Sequence, residues 1–333
     1  MKVLLTGGSG FIAAHCIGYL LQHGHETVFT VRSHEKGMKI LSNYPGQPAS
    51  KLSYVIVEDI AQEDAFNDAV KSDPPFDAVL HTASPFHFHP TDPKKDLIDP
   101  AIIGTTGILK SIKASAPTVK IVVITSSFAS MINTANPPKV YNETCWNPVT
   151  LEQAQESANI AYRVGKTFAE KAAWEFVEKE KPNFQVATML PTLVLGPIVH
   201  YLNSLDSINT SNERLRSMIQ GMMKDRLAPT GYFLWVDVRD VALAHVRAIE
   251  VPAAAGKRFF LTEGYMDNAA IADAIKEGHP DLAQNLPEKY ESDLPKDIYG
   301  FDNSRTRDIL GIEYRPLKQC IIDTVKSLRE VGA

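Results

Sequence analysis

The chain has 333 residues, a formal net charge of −5, 44% hydrophobic and 22% charged residues. That length supports one large domain or two intimate ones, and the acidic balance with no basic run excludes a nucleic-acid binder, whose affinity rests on clustered Lys and Arg. Cys16, Cys145 and Cys320 are odd in number and lack C-x-x-C spacing, which argues against a disulfide framework or a zinc site and fits a reducing cytoplasm.

Residues 3–6 read as a strand whose apolar run stops at once in Thr6-Gly7-Gly8-Ser9-Gly10, so no signal-peptide core forms. Nowhere does the sequence reach the roughly 18 apolar residues of a spanning helix, and no membrane partner is expected. A helix follows over 11–23. Strand, glycine loop and helix in that order are the context of a dinucleotide fingerprint. Gly7 permits the tight turn, and Gly10 lets the backbone approach a pyrophosphate seated on the helix N-terminus. Ala13 keeps helix and strand close. Thr6, Gly7, Gly10, Phe11 and Ile12 are the candidate cofactor residues of this loop.

The second strand, 26–31, ends in Arg32, with Lys36 shortly after and no acid at its tip. An acid there would bind a ribose 2′-hydroxyl, whereas a guanidinium suits a 2′-phosphate, so NADPH/NADP+ is preferred to NAD. After a third strand, 54–57, Asp59 (with its neighbour Ile60) is read either as an acceptor for the adenine amino group or as a helix cap. Helical patterns over 61–71 and 102–114 flank strands at 78–81 and 120–126. Poorly alternating strands separated by helices predict an α/β fold with a doubly wound parallel (Rossmann) sheet.

The strand at 120–126 runs into Ser126 and Ser127, at the carboxyl end where such sheets bind ligands. A long helix is expected over 151–179, broken near 157–159. On it Tyr162 and Lys166 stand four residues apart, hence on one face. The ammonium is expected to lower the phenol's pKa and make it a usable acid/base. Tyr314 and Lys318 share the spacing but enclose Pro316 and lie far from the sheet, so they are set aside. A strand at 185–190 closes at Pro191, and regularity fades after Gly196-Pro197. Patterns at 215–223, 238–249, 259–262 and 317–331 predict a smaller mixed α/β substrate-binding region. The expected division is a Rossmann domain over 1–197, to which parts of 232–262 return, with the substrate region in 198–231 and 263–333. The spacing of His87 and His89 carries no acidic or thiol partner, so no metal is expected.

Taken together, Thr6-Gly7-x-x-Gly10-x-x-Ala13, Ser127 and Tyr162-x-x-x-Lys166 resemble the extended short-chain dehydrogenase/reductase family. His81-Thr82-Ala83-Ser84-Pro85-Phe86, Lys171-Ala172-Ala173-Trp174 and Val236-Asp237-Val238-Arg239-Asp240 resemble its dihydroflavonol-reductase-like branch. Glu143-Thr144-Cys145-Trp146-Asn147-Pro148 and the Arg32/Lys36 pair are similar to fungal methylglyoxal reductases and ketoreductases within it. The resemblance implies NADPH-dependent reduction of aldehydes and ketones, with Tyr162 as proton donor, Ser127 holding the carbonyl oxygen and Lys166 on the nicotinamide ribose. It places Thr82, Ala83, Ser84, Pro191, Leu193 and Ser211 along the cofactor. Phe86, Phe128, Met131 and Tyr201 are read separately as candidate walls of the substrate pocket, with ordinary core or loop packing as the alternative. Ile103 stands where many relatives carry the Asn of a proton relay. Tyr162-Arg163-Val164-Gly165-Lys166 departs from the usual sugar-epimerase pattern. That epimerase, a hydroxysteroid-type dehydrogenase and a non-catalytic NADP sensor are the alternatives. Family habit suggests a homodimer.

Overall fold

The computed structural model describes residues 1–84, 92–200, 202 and 204–333. Strand β1 (Lys2–Thr6) leads into helix α1 (Phe11–Gln22), then β2 (Glu26–Val31), α2 (His34–Ser42) and β3 (Leu52–Ile56). Next come β4 (Ala78–His81), α3 (Asp99–Ser115), β5 (Ile121–Thr125), a short β6 (Val140–Tyr141) and the long α4 (Ala158–Glu180). The chain continues through β7 (Gln185–Pro191), β8 (Leu193–Leu195), α5 (Thr210–Ile219), β9 (Leu234–Asp237), α6 (Val238–Glu250) and β10 (Arg258–Leu261). It ends with β11 (Gly264–Tyr265), α7 (Asn268–Gly278), β12 (Gly300–Phe301), α8 (Ser304–Leu310) and α9 (Leu317–Glu330).

Seven strands form a sheet in the order β3-β2-β1-β4-β5-β7-β10, parallel at every pairing. The central strands are buried on both faces, which is why their sequences run apolar without alternation. Val3 and Leu5 of β1 face a core shared with α1 and α6, while Leu4 faces one shared with α3 and α4. The strand order reverses between β1 and β4, and a crevice opens there beyond the carboxyl ends. Two small sheets, β11-β9-β8 and β12-β6, lie outside the main one. Helices α5, α7 and α9 close a third core around Trp235.

Two expectations change. Residues 61–70 are a run of turns, not a helix. Ala65 N–H reaches three residues back to Gln62 and Asn67 to Asp64, while Val70 reaches four back to Phe66. Phe66, Ala69 and Val70 are buried, an i, i+3, i+4 spacing that an amphipathic helix would share, so the apolar pattern alone does not separate a helix from this run of turns. The long helix begins at Ala158, where Ser157 accepts from Ile160 N–H at 3.2 Å, and only a short 3₁₀ turn (Glu152–Gln155) precedes it. At the opposite end of the sheet from the crevice, Glu250 gathers His23 at 2.8 Å, His25 at 2.9 Å and Arg247 at 3.0 Å. This fastens the end of α6 to the α1–β2 turn. Among the described residues no helix is long and apolar enough to cross a membrane.

Candidate active site

The loop between β1 and α1 is shaped by contacts on both sides. Gly7 has φ +73°, and a Cβ there would lie 2.9 Å from Ala83 Cα. Its N–H donates to Thr30 Oγ1 at 3.0 Å. A Cβ on Gly8 would sit 2.6 Å from the Phe29 ring, a requirement the motif reading did not identify. Gly10 caps α1 in extended conformation without a side chain, leaving the first N–H groups of the helix free for an anion. Ser9, Gly10, Phe11 and Ile12 line a cleft of about 810 Å³. Thr6 does not line it. Its hydroxyl accepts from Ala83 N–H at 3.1 Å and bonds to His81 Nδ1 at 2.9 Å, holding β1 to β4 behind the loop.

Arg32 and Lys36 line the cleft. Arg32 is exposed, and Ser33 caps α2 so that Lys36 falls in its first turn. Two cations beside the free amides of α1 fit a dinucleotide carrying a 2′-phosphate. Asp59 and Ile60 stand outside the cleft lining. The Asp59 carboxylate accepts from Ala61 N–H and from Gln62 Nε2, both at 2.9 Å, in the run of turns that follows β3. Thr82 and Ser84 line the cleft, while Ala83 faces Gly7 from behind. Pro191, Leu193 and Ser211 form another wall. The Ser211 hydroxyl donates to Val194 O and accepts from Asn209 Nδ2.

Ser127, Tyr162 and Lys166 all line this cleft. Ser127 begins a 3₁₀ turn after β5 and accepts from Ala129 N–H at 3.1 Å. Its side chain is hydrogen-bonded to the Tyr162 phenol. Lys166 donates from Nζ to Thr125 O at 3.2 Å. Burial lowers the Lys166 pKa to about 8, with the nearby Glu170 carboxylate acting in the opposite sense. The phenol departs from the expectation of a lowered pKa. Burial raises it, the Ser127 hydrogen bond offsets only part of the rise, and the Tyr232 phenol adds to it. Lys166 has turned its ammonium to the β5 carbonyl instead.

Behind these groups lies a network the sequence did not reveal. Glu170, one turn beyond Lys166 and fully buried, accepts from Ser126 and Ser130 hydroxyls at 2.6 Å each, Thr188 at 2.8 Å and Arg258 Nε at 2.8 Å. Arg258 also donates to Glu143 O and lies 3.7 Å over the Trp146 ring. His81 is buried and neutral, its pKa lowered to about 3 by burial and by Lys166. Its Nε2 has no partner among the described residues.

Of the residues expected around a substrate, Phe128 lines the cleft and stacks on Phe260 at 5.4 Å. Met131 is 1% exposed and packs in the core beneath Phe128 instead of reaching the cleft. Phe86 and Tyr201 lie outside the described residues, as do His87 and His89. The structure adds Asn159, Arg163, Tyr232, Phe233 and Tyr299 to the lining. Asn159 and Arg163 flank Tyr162 on α4 and were legible as helix neighbours. The others arrive from distant segments without any motif.

A parallel sheet with a glycine loop at its switch point and a Ser–Tyr–Lys cluster in the adjoining cleft defines a Rossmann-type dinucleotide enzyme. The chain belongs to the NAD dependent epimerase/dehydratase family, the extended short-chain dehydrogenases/reductases, whose pattern it matches over residues 3–261. It is 49% identical to the ketoreductase azaE of Aspergillus niger, over 99% of this chain and 98% of that protein. It is 35% identical to the NADPH-dependent methylglyoxal reductase GRE2 of Saccharomyces cerevisiae, with 98% of each chain covered. Its structure superposes on yeast Gre2 complexed with NADPH with TM-score 0.91, 34% identity, and 99% and 98% of the two chains covered. On Gre2 from Candida albicans with NADPH the TM-score is 0.93 at 33% identity, with both chains covered in full.

Proposed function

We propose that this protein is an NADPH-dependent carbonyl reductase of aldehydes and ketones, 2-oxoaldehydes such as methylglyoxal among them. The observation that carries it is one cleft lined both by Arg32 and Lys36 and by Ser127, Tyr162 and Lys166. The named activities of azaE and GRE2 support the same reading. The free thiols Cys16, Cys145 and Cys320 favour a cytoplasmic setting.

Bound NADPH would supply a hydride to the carbonyl carbon; this chain's residues manage the oxygen. Ser127 and Tyr162 share a hydrogen bond, and a carbonyl oxygen placed between them would accept from both hydroxyls. As negative charge grows on that oxygen, the Tyr162 phenol gives up its proton and the alcohol forms. Its raised pKa keeps it protonated, hence competent as an acid, at neutral pH. The positive charge of Lys166, one turn along α4, favours the phenolate that remains. The Gly10–Ile12 amides would hold the pyrophosphate, and Arg32 and Lys36 the 2′-phosphate.

The test is loss of reduced-nicotinamide absorbance with methylglyoxal and a panel of aryl and alkyl ketones. NADPH should be consumed far faster than NADH, and Tyr162→Phe should keep NADPH binding while turnover falls by at least ~100-fold. Tight NADPH binding without turnover of any carbonyl would refute the assignment.

A further inference from the structure

Among the described residues lining the cleft, Arg163 is a charged side chain that the reduction leaves unused. It follows Tyr162 on α4, is half-buried, and lines the cleft with Asn159 and Tyr232. Its guanidinium donates to Tyr232 Oη and to Thr134 Oγ1, both at 3.3 Å. Those are long contacts to neutral hydroxyls, whereas a guanidinium holding a carboxylate closes to about 2.7–2.9 Å, often with two parallel bonds. Among the described residues no carboxylate pairs with it. Arg239, Arg258 and Arg315, by contrast, each grip a buried carboxylate.

The neighbours point the same way. Asn159, one turn before Arg163, donates from Nδ2 to Tyr232 Oη at 2.7 Å. Tyr232 lies close enough to Tyr162 to act on its phenol. Amide, phenol and guanidinium thus form one donor-rich patch beside the proton donor. Phe128 and Tyr299 also line the cleft, Tyr299 near Tyr232. The patch is built on α4 and the segment carrying Tyr232, whereas Arg32 follows β2 and Lys36 lies in the first turn of α2.

We propose that Arg163, with Asn159 and Tyr232, receives a carboxylate carried by the carbonyl substrate, so that the preferred substrates are oxo acids. The inference rests on the carbonyl-reductase reading and names its substrate class. No bond at the carboxylate changes. The ketone or aldehyde becomes an alcohol as described, and the acid leaves as a hydroxy acid.

The experiment compares matched pairs under NADPH: levulinate with its methyl ester, and para-formylbenzoate with its methyl ester. The acid-to-ester ratio of kcat/KM should be about 10- to 100-fold in the native enzyme, the range of a charge-assisted hydrogen bond. It should shrink with added salt. Arg163→Met should bring the ratio to near one, and Arg163→Lys should restore part of it, since an ammonium keeps the charge but not the planar fork. Native enzyme that reduces the esters as well as the acids would overturn the inference while leaving the reductase reading intact. So would a ratio that survives in Arg163→Met. Failure to reduce either member of a pair, or any neutral aldehyde, would sink both.

Discussion

Lys166 shows how one residue's surroundings set a measurable property of the whole enzyme. Burial brings its pKa down to about 8, so the ammonium is present at neutral pH and lost as the pH rises through that value. If the charge assists binding of the ribose and stabilises the phenolate, kcat/KM for NADPH should decline above about pH 8. That ratio reports the free enzyme's groups. Lys166→Arg would lose activity through altered geometry, yet its alkaline limb should disappear, because a guanidinium stays charged throughout. A native profile that stays flat far above this pH would mean that Lys166 keeps its proton there or that its charge does not serve turnover. The raised pKa of Tyr162 sharpens the point. The phenol is built here as an acid for reduction, and any assistance from Lys166 falls on the state after proton transfer.

The element that organises the site is α4. Its cap at Ser157 fixes where the helix starts, and its first turns present Asn159, Tyr162, Arg163 and Lys166 to the cleft. One turn on, Glu170 anchors it to β5, β7 and β10 through Ser126, Thr188 and Arg258. Removing one member of a buried ion pair strands the other's charge, at a cost of about 3–5 kcal/mol. Glu170→Leu should therefore lower the denaturation midpoint sharply. Glu170→Leu with Arg258→Met should lower it less than the two single changes added together, as a coupled pair requires. Strict additivity would mean that Glu170 and Arg258 act independently. The same helix shows what the sequence could disclose. The Tyr162–Lys166 spacing and the Gly7/Gly10 loop are local patterns, tied to a helical period and a single turn, and both were readable. Glu170 meets Arg258 across 88 residues, and Gly8 is demanded by a Phe29 ring on the next strand; neither contact leaves a mark in local spacing. Residues 61–70 failed for a related reason, since apolar residues three apart satisfy both a helix and a chain of turns. Met131 failed because cleft walls and core share one composition.

At the scale of the molecule, the question is whether the sheet and the C-terminal region behave as one unit. The chain crosses between them repeatedly. It leaves the sheet after β7, builds β8 and α5, pairs β8 with β9, packs α6 beneath the sheet and returns as β10 at its edge. Side chains tie the crossings. His15 bonds to Pro197 O at 2.9 Å, Ile198 N–H donates to Ser327 Oγ at 2.9 Å, and Arg239 bridges buried Asp237 to Asp323 at 2.7 and 2.6 Å. With strands of one sheet supplied from both sides of the smaller region, neither part can open without tearing the other. The expected outcome is a single cooperative thermal transition by fluorescence and by far-ultraviolet circular dichroism. The cleft is walled by Gly10–Ile12 from one part and by residues 207–211 from the other, so a ligand spanning it binds only the assembled state. At a concentration one hundred times its Kd, NADPH should then stabilise the fold by about 2.7 kcal/mol, moving the whole transition upward by a few degrees. NADH at the same concentration should move it less, since it offers Arg32 and Lys36 no 2′-phosphate. Two separated transitions, of which NADPH shifts only the first, would instead mean that the dinucleotide is held by the sheet alone, and that residues 207–211 close on it as a detachable wall.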